Sequence, residues 1–141
     1  VLYRVPQNSR TALAAYQPWG YANGAWGWGN PATEVLPGKF GEMCLRPLGG
    51  KWILTWFNAG AYRIDAMVLN TPTDNLYTAA KTTLLTGCEW GAEDASHVAQ
   101  LYGGYIIPGS TLSDLHLGVS QWNTGNNSVY HVEQFRVQGL V

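Results

Sequence analysis

The chain has 141 residues, of which only 12% are charged, with eight basic and nine acidic side chains. This balance lacks the clustered Lys and Arg that nucleic-acid binding requires, so nucleic acid is excluded as a partner. No apolar run approaches the roughly 20 residues that a membrane helix needs, so no membrane span is expected. The first six residues are not a signal peptide, and we expect a processed or trimmed chain.

Short apolar and aromatic segments separated by Gly, Pro and Asn turns predict β-strands along most of the chain. Residues 2–5 are the first expected strand. Residues 16–30 follow, and their alternating Trp and Gly are typical of an irregular aromatic loop or a strand. The next expected strands span residues 41–46, 51–57, 61–69 and, as an outer strand, 81–85, then 104–108, 115–122 and 129–138.

Three local features refine this pattern. Gly49-Gly50 predicts a two-residue hairpin turn. Residues 93–101 fit either a turn or two of helix or a loop. Cys44 and Cys88 would close a loop of more than forty residues if bridged, which would stabilise the fold by roughly 3–4 kcal/mol. Two free thiols agree with the sequence equally well.

One strand of the sequence occurs twice. Residues 62–69 align with residues 130–137 at an offset of 68, and the strands that precede these copies align at an offset of 65. Antiparallel units repeated every 65 residues or so are typical of large propeller blades. The repeat predicts an all-β fold with about two full antiparallel blades and part of another.

The expected organisation is a single partial propeller domain over residues 1–141. It comprises an incomplete blade with the aromatic Gly-rich segment at 1–39, a full blade with its connection at 40–100, and a last blade at 101–141. Because the smallest propellers carry about four blades, such a chain leaves sheet edges unpaired. We expect a second chain or missing N-terminal blades to complete the ring; assembly of copies is the alternative.

Two runs of sequence carry a family resemblance: GEMCLR…GKWILTWFN within residues 41–58, and YIIPGSTL…DLHL…SQWN within residues 105–123. They resemble actinobacterial proteins of the domain of unknown function 4185 family, among them endo-D-arabinanases that cut mycobacterial cell-wall arabinan. The resemblance covers about residues 3–137 and only the C-terminal portion of such proteins. It implies a secreted or cell-envelope, five-bladed propeller glycoside hydrolase that acts on a cell-wall polysaccharide, with a catalytic carboxylate on a first blade that this chain lacks.

Glycoside hydrolysis needs two carboxyl groups that face the scissile bond. Glu42 is the leading candidate for the general acid, because it opens a strand after Gly41 and its Glu-Met-Cys context is similar to the motif that carries the acid in some furanoside-cleaving propellers. Pairing of Glu42 with Arg46 or Arg63 is the alternative reading.

Other catalytic candidates are weaker. Asp65 and Glu133 occupy equivalent positions of the repeat, which favours a structural role for both. Asp114 and His116 lie two residues apart on one strand face, where His116 could modulate a carboxylate; a turn cap and a packed histidine are the alternatives.

Candidate substrate-binding residues are Trp26, Trp28, Arg63 and Trp122. Trp26 and Trp28 lie among glycines, as expected of exposed rings that stack on sugars, although core packing is the default for any one aromatic. Zinc-ligand spacing, a nucleophile elbow and a phosphate-binding loop are absent from the sequence. We therefore expect no metal site and no cofactor.

The sequence favours part of a secreted endo-D-arabinanase-like glycoside hydrolase acting on arabinan or arabinogalactan, inactive as an isolated chain. The alternative is a non-catalytic glycan-binding or structural half-propeller that completes another chain. A binding module needs only exposed aromatics, whereas an enzyme must also present a carboxylate on an inner strand.

Overall fold

The computed structural model describes residues 1–140. Its eleven strands form three sheets, accompanied by two short 3₁₀ turns and, within these residues, no α-helix. The expected all-β class is confirmed, and the sheets are those of partial propeller blades. The chain divides into two compact units: Val1–Pro37 with Asn75–Thr78, and Gly38–Asp74 with the residues from Ala79 onward.

The first unit holds a three-stranded antiparallel sheet. Its strands are β1 (Leu2–Arg4), β2 (Gln17–Ala22) and β3 (Ala25–Trp28). Asn23 and Gly24 both have positive φ, as a tight two-residue hairpin turn requires. The aromatic Gly-rich segment is therefore a regular hairpin, which places its tryptophans on defined faces.

The second unit contains a five-stranded sheet in chain order. Its strands are β4 (Phe40–Leu48), β5 (Lys51–Asn58), β6 (Arg63–Leu69), β7 (Lys81–Cys88) and β8 (His97–Ala99). Gly49 and Gly50, at φ +58° and +77°, form the predicted hairpin turn. The helix considered for residues 93–101 was wrong: three of these residues form β8, which pairs in parallel with β7.

A second sheet of this unit has three antiparallel strands. They are β9 (Leu101–Ile106), β10 (Asp114–Trp122) and β11 (Tyr130–Gln138), with β10 in the centre. Leu115, Leu117 and Val119 alternate along β10 and are fully buried. This period of two gives β10 one apolar face, which packs toward the five-stranded sheet.

The hydrophobic core of the second unit lies between its two sheets. Ile53 and Ile64 of one sheet and Leu117 of the other are fully buried within a single cluster. Burying a side chain of this size contributes about 1.5–3 kcal/mol. The sheets also approach closely at Gly104, whose carbonyl accepts a buried 2.6 Å hydrogen bond from the Thr55 hydroxyl.

Cys44 and Cys88 are both free thiols. They lie on β4 and β7, and the sheet order places β5 and β6 between them. Three strand spacings amount to about 14 Å, well beyond the 7 Å or so that a disulfide can span. The alternative of a Cys44–Cys88 disulfide is therefore wrong, and the alternative of two free thiols is correct.

Candidate functional site

Glu42 lies at an irregularity in strand β4. Phe40 pairs with Asn58 and Met43 pairs with Trp56, so that two residues of β4 oppose one residue of β5. A bulge of this kind bends the strand and redirects the side chains at it, and such bulges are common beside active sites. Here it presents the Glu42 carboxylate at the surface.

A second bulge, in β9, meets that carboxylate. Tyr105 pairs with Gly118 and Gly103 pairs with Val119, so that Gly104 is the extra residue. Gly103 and Gly104 have φ of +85° and +104°, a region that residues with side chains rarely adopt. The freed N–H of Gly103 donates to Oε2 of Glu42 at 3.1 Å.

The two bulges leave one oxygen of the Glu42 carboxylate without a protein hydrogen bond among residues 1–140. Oε2 is held by the Gly103 N–H, while Oε1 has no hydrogen-bond partner among residues 1–140. One fixed oxygen orients the group, and the other is accessible to a ligand. An accessible carboxyl oxygen of this kind can exchange a proton with a molecule bound within hydrogen-bond distance.

Tyr102 neighbours both Glu42 and Tyr130. Burial raises the pKa of Tyr102, and the neighbouring Tyr130 hydroxyl and Glu42 carboxylate raise it further. Tyr102 therefore carries its proton throughout the physiological pH range and is available as a hydrogen-bond donor.

Trp122 extends this polar and aromatic group along the open face of the three-stranded sheet. Its indole N–H donates to Oδ1 of Asn127 at 2.8 Å, and its ring meets Tyr130 edge-on at 5.8 Å. Trp122 is 45% exposed. These three residues line a shallow pocket of about 280 Å³.

Arg46 and Tyr105 form a second contact between β4 and β9. The guanidinium carbon lies 4.8 Å from the tyrosine ring centroid, and the guanidinium also donates to the tyrosine hydroxyl. Cation–π pairs of this type contribute about 0.5–1 kcal/mol at exposed positions. The pair leaves Glu42 without Arg46 as an ion partner.

Asp65 is fully buried and surrounded by donors. Oδ2 accepts from Asn58 Nδ2 at 2.8 Å, Oδ1 accepts from the Thr83 hydroxyl at 2.9 Å, and Arg63 Nε lies 2.9 Å from Oδ1. Both carboxylate oxygens of Asp65 are therefore engaged by donors from β5, β6 and β7. This geometry favours a structural role for Asp65 and for its partner Arg63.

Asp114 is also paired, at the surface. Both of its oxygens accept from Arg136, at 2.6 and 3.0 Å, and His116 Nε2 lies 3.4 Å away. Hydrogen bonding from the Arg136 guanidinium lowers the pKa of Asp114. Asp114 and His116 do lie together on one strand face, as the spacing predicted, but Asp114 is already paired with the Arg136 guanidinium.

The tryptophans of the first unit form an aromatic cluster. Trp26 is 42% exposed and stacks on Trp19 with ring centroids 6.1 Å apart and planes 18° apart. Trp28 is half-buried beneath Arg4, whose guanidinium carbon lies 4.7 Å from the ring centroid. Trp26 thus keeps a surface for stacking, whereas Trp28 is largely covered.

Sequence reasoning missed Gly103 and Tyr102 as neighbours of Glu42, and Tyr130 as a neighbour of Tyr102. The available signal was the Gly103-Gly104 pair in the middle of an expected strand, which is a mark of a bulge or a close backbone approach. Within residues 1–140, no three His, Cys, Asp or Glu side chains are grouped so as to hold a metal ion. The same residues contain no helix that is long and apolar enough to cross a membrane.

These sheets and the bulged site define an all-β, propeller-blade class of protein, with an accessible carboxylate between two sheets. Residues 1–136 match the model of the family named domain of unknown function (DUF4185). The chain belongs to this family.

Curated proteins of bacterial and fungal origin are similar to the chain. It is 38% identical over 148 aligned positions to an uncharacterized 35.9 kDa protein in the asd 3′ region of Mycolicibacterium smegmatis, covering 99% of this chain and 44% of that protein. It is 32% identical to the Notoamide biosynthesis cluster protein J′ of Aspergillus versicolor, covering 91% of this chain and 34% of that protein. The chain therefore spans less than half the length of these relatives.

Proposed function

We propose that the chain is part of a glycan-active glycoside hydrolase, secreted or held in the cell envelope. We further propose that this enzyme is an endo-D-arabinanase acting on arabinan or arabinogalactan. The observation that carries the proposal is Glu42, an exposed carboxyl group held through one oxygen by the Gly103 N–H. The arabinan substrate rests on the family resemblance.

The aromatic residues on the open face of the three-stranded sheet support a carbohydrate ligand. Trp122 and Tyr130 offer apolar ring surface beside the hydroxyls and amide of Tyr102, Tyr130 and Asn127. Sugars present C–H faces that pack on aromatic rings and hydroxyls that bond to polar side chains. The open face of this sheet therefore offers both kinds of contact, and Tyr102 connects it to Glu42.

In the proposed reaction Glu42 is the general acid. With Oε2 fixed by Gly103, a proton on Oε1 would be delivered to the leaving oxygen of the glycosidic bond. The second carboxyl group is supplied by another part of the longer polypeptide, because Asp65 and Asp114 are already engaged by cations. In this proposal further blades complete both the ring and the active site.

Glu42→Gln tests the catalytic role in the chain joined to the remainder of its polypeptide, with arabinogalactan as substrate. We expect kcat to fall about 10²–10⁴-fold with little change in KM, because proton donation is lost while the shape is kept. Glu89→Gln, an exposed loop substitution, is the matched control and should leave the rate unchanged. Unchanged oligosaccharide release by Glu42→Gln would remove this residue from the mechanism.

A second candidate function is glycan binding without catalysis. The exposed face of Trp26 on its stacked partner Trp19 favours it, since such a platform can hold a sugar without any carboxyl group. Trp26→Ala is expected to weaken binding of arabinogalactan to this chain about 3–10-fold by calorimetric titration. Tyr3→Ala, which removes another exposed aromatic of the same unit, should leave the affinity unchanged; equal losses in the two variants would argue against a Trp26 platform.

A further inference from the structure

The two copies of the repeated hairpin differ in what covers them. In the first copy, Asp65 and Ile64 of β6 are fully buried. In the second, the equivalent residues of β11 are Glu133, which is exposed and paired with His131 at 3.0 Å, and Val132, which is 67% exposed. The hairpin sequence is repeated, but the neighbouring structure that buries the first copy is not repeated beside the second.

The covering structure of the first copy is strand β7. Ile64 pairs with Leu85 and Asp65 with Thr83 across the β6–β7 ladder. Thr83 also donates its hydroxyl to Asp65 at 2.9 Å. The outer strand therefore contributes backbone pairing, an apolar side chain and a hydroxyl for the acidic residue.

Strand β11 carries an unpaired row of backbone groups. The N–H of Asn123 donates to the carbonyl of Val129 at 2.9 Å, which fixes the alternation of the β10–β11 ladder. It follows that the N–H groups of Val132 and Gln134 point away from β10. No strand pairs with this side of β11 among the residues that the structure describes.

Three of the common protections of an edge strand are missing from β11, although Glu133 and Arg136 place charged side chains on it. Proteins shorten such strands, bulge them or place Pro in them. β11 instead runs unbroken over nine residues and contains no Pro. Tyr130 and Val132 are 74% and 67% exposed along it.

We propose that β11 receives one further antiparallel strand, supplied by another part of the same polypeptide. By analogy with β7, that strand places an apolar residue opposite Val132 and a hydroxyl residue opposite Glu133. Enough chain exists for it in proteins of this kind, since the chain covers only 44% of its Mycolicibacterium smegmatis relative. The inference concerns assembly and stands whether or not the glycoside hydrolase proposal is correct.

The test adds the missing outer strand to the chain at the position that corresponds to β7 in the first copy of the repeat. Because Leu69 and Val137 are equivalent, a copy of residues 70–87 is joined directly after Val137, so that its β7 sequence can reach the β11 edge. We expect the Tm to rise by about 5 °C. In hydrogen exchange, the amides of Val132 and Gln134 should exchange at least ~100-fold more slowly than in the parent chain.

Proline variants provide the controls. Val132→Pro removes an outward N–H and is tolerated at an edge, so it should abolish the gain in the extended chain while changing the parent Tm by less than about 2 °C. A copy carrying Thr83→Pro and Leu85→Pro should give no gain. Equal Tm values for the intact and proline-bearing copies, with fast exchange at Val132, would overturn the proposal.

Sedimentation of the parent chain distinguishes the source of the strand. A monomer is expected if the strand comes from the same polypeptide. A dimer that Val132→Pro dissociates would mean that a second copy pairs with β11, and would overturn the assignment to the same polypeptide. Neither measurement involves a sugar, so the outcome is independent of the arabinanase assay.

Discussion

Asp65→Ala is expected to lower the free energy of unfolding by about 3 kcal/mol or more. The carboxylate is fully buried, and its removal leaves the Asn58 amide, the Thr83 hydroxyl and the Arg63 guanidinium without their shared acceptor. These donors come from three adjacent strands, so the loss affects the middle of the five-stranded sheet. Urea unfolding followed by tryptophan fluorescence measures the change.

Glu133→Ala is the matched control, because Glu133 occupies the same position of the repeat. Among residues 1–140 its ion partner is His131, and both side chains are about half exposed. Exposed pairs contribute about 0–1 kcal/mol, so a change below 1 kcal/mol is expected. Similar losses of stability in the two variants would show that the contribution of Asp65 does not come from its burial among the Asn58, Thr83 and Arg63 donors.

Gly104→Ala is expected to destabilise the protein by about 2–4 kcal/mol. Gly104 has φ of +104°, and a Cβ built there would lie 2.9 Å from Cγ2 of the fully buried Ile64. The methyl group would combine backbone strain with overpacking between the two sheets. The measurement is the midpoint of urea unfolding at constant m-value.

Gly109→Ala separates these two effects. Gly109 has a similar φ of +93°, but a Cβ there meets nothing within 4 Å. Only the backbone strain of about 1–2 kcal/mol should appear. If both variants lose the same stability, the contact of the sheets at Gly104 is looser than the structure indicates.

The strands were largely predictable because their signals are local. Gly49-Gly50 specifies a tight turn by its conformational freedom, and the alternation of apolar residues along β10 specifies one buried face. The repeat of residues 62–69 and 130–137 predicted two similar hairpins, and both are present.

What failed depended on contacts between strands rather than on patterns within one segment. β8 has only three residues and exists through its parallel pairing with β7, a tertiary contact that no local pattern announces. The donors around Asp65 come from three strands, so its burial could not be read from its own segment. The repeat even concealed this difference, because Asp65 and Glu133 look alike in sequence.

The sequence predicted the Glu42 carboxylate and the Trp122 ring as members of the candidate site, but not the surroundings of Glu42. Glu42 was identified from its place at the start of a strand, but its environment depends on a bulge in each of two sheets. Bulges arise from a mismatch in strand pairing, and the pairing is fixed only when the sheets have formed. The proximity of Tyr102 to Glu42, and of Tyr130 to Tyr102, could therefore not be predicted from the sequence.

The hydrogen bond between Glu42 and Gly103 joins residues that are 61 positions apart in the chain. A ribosome adding about 5–20 residues per second therefore exposes the carboxylate several seconds before its anchor emerges. Once β5 has emerged, β4 and β5 can pair, while Glu42 remains unoriented until β9 follows. Truncated or stalled products that end before β9 would carry Glu42 without the Gly103 contact that we propose for its chemistry. Ligand binding that depends on this contact would therefore require synthesis beyond β9.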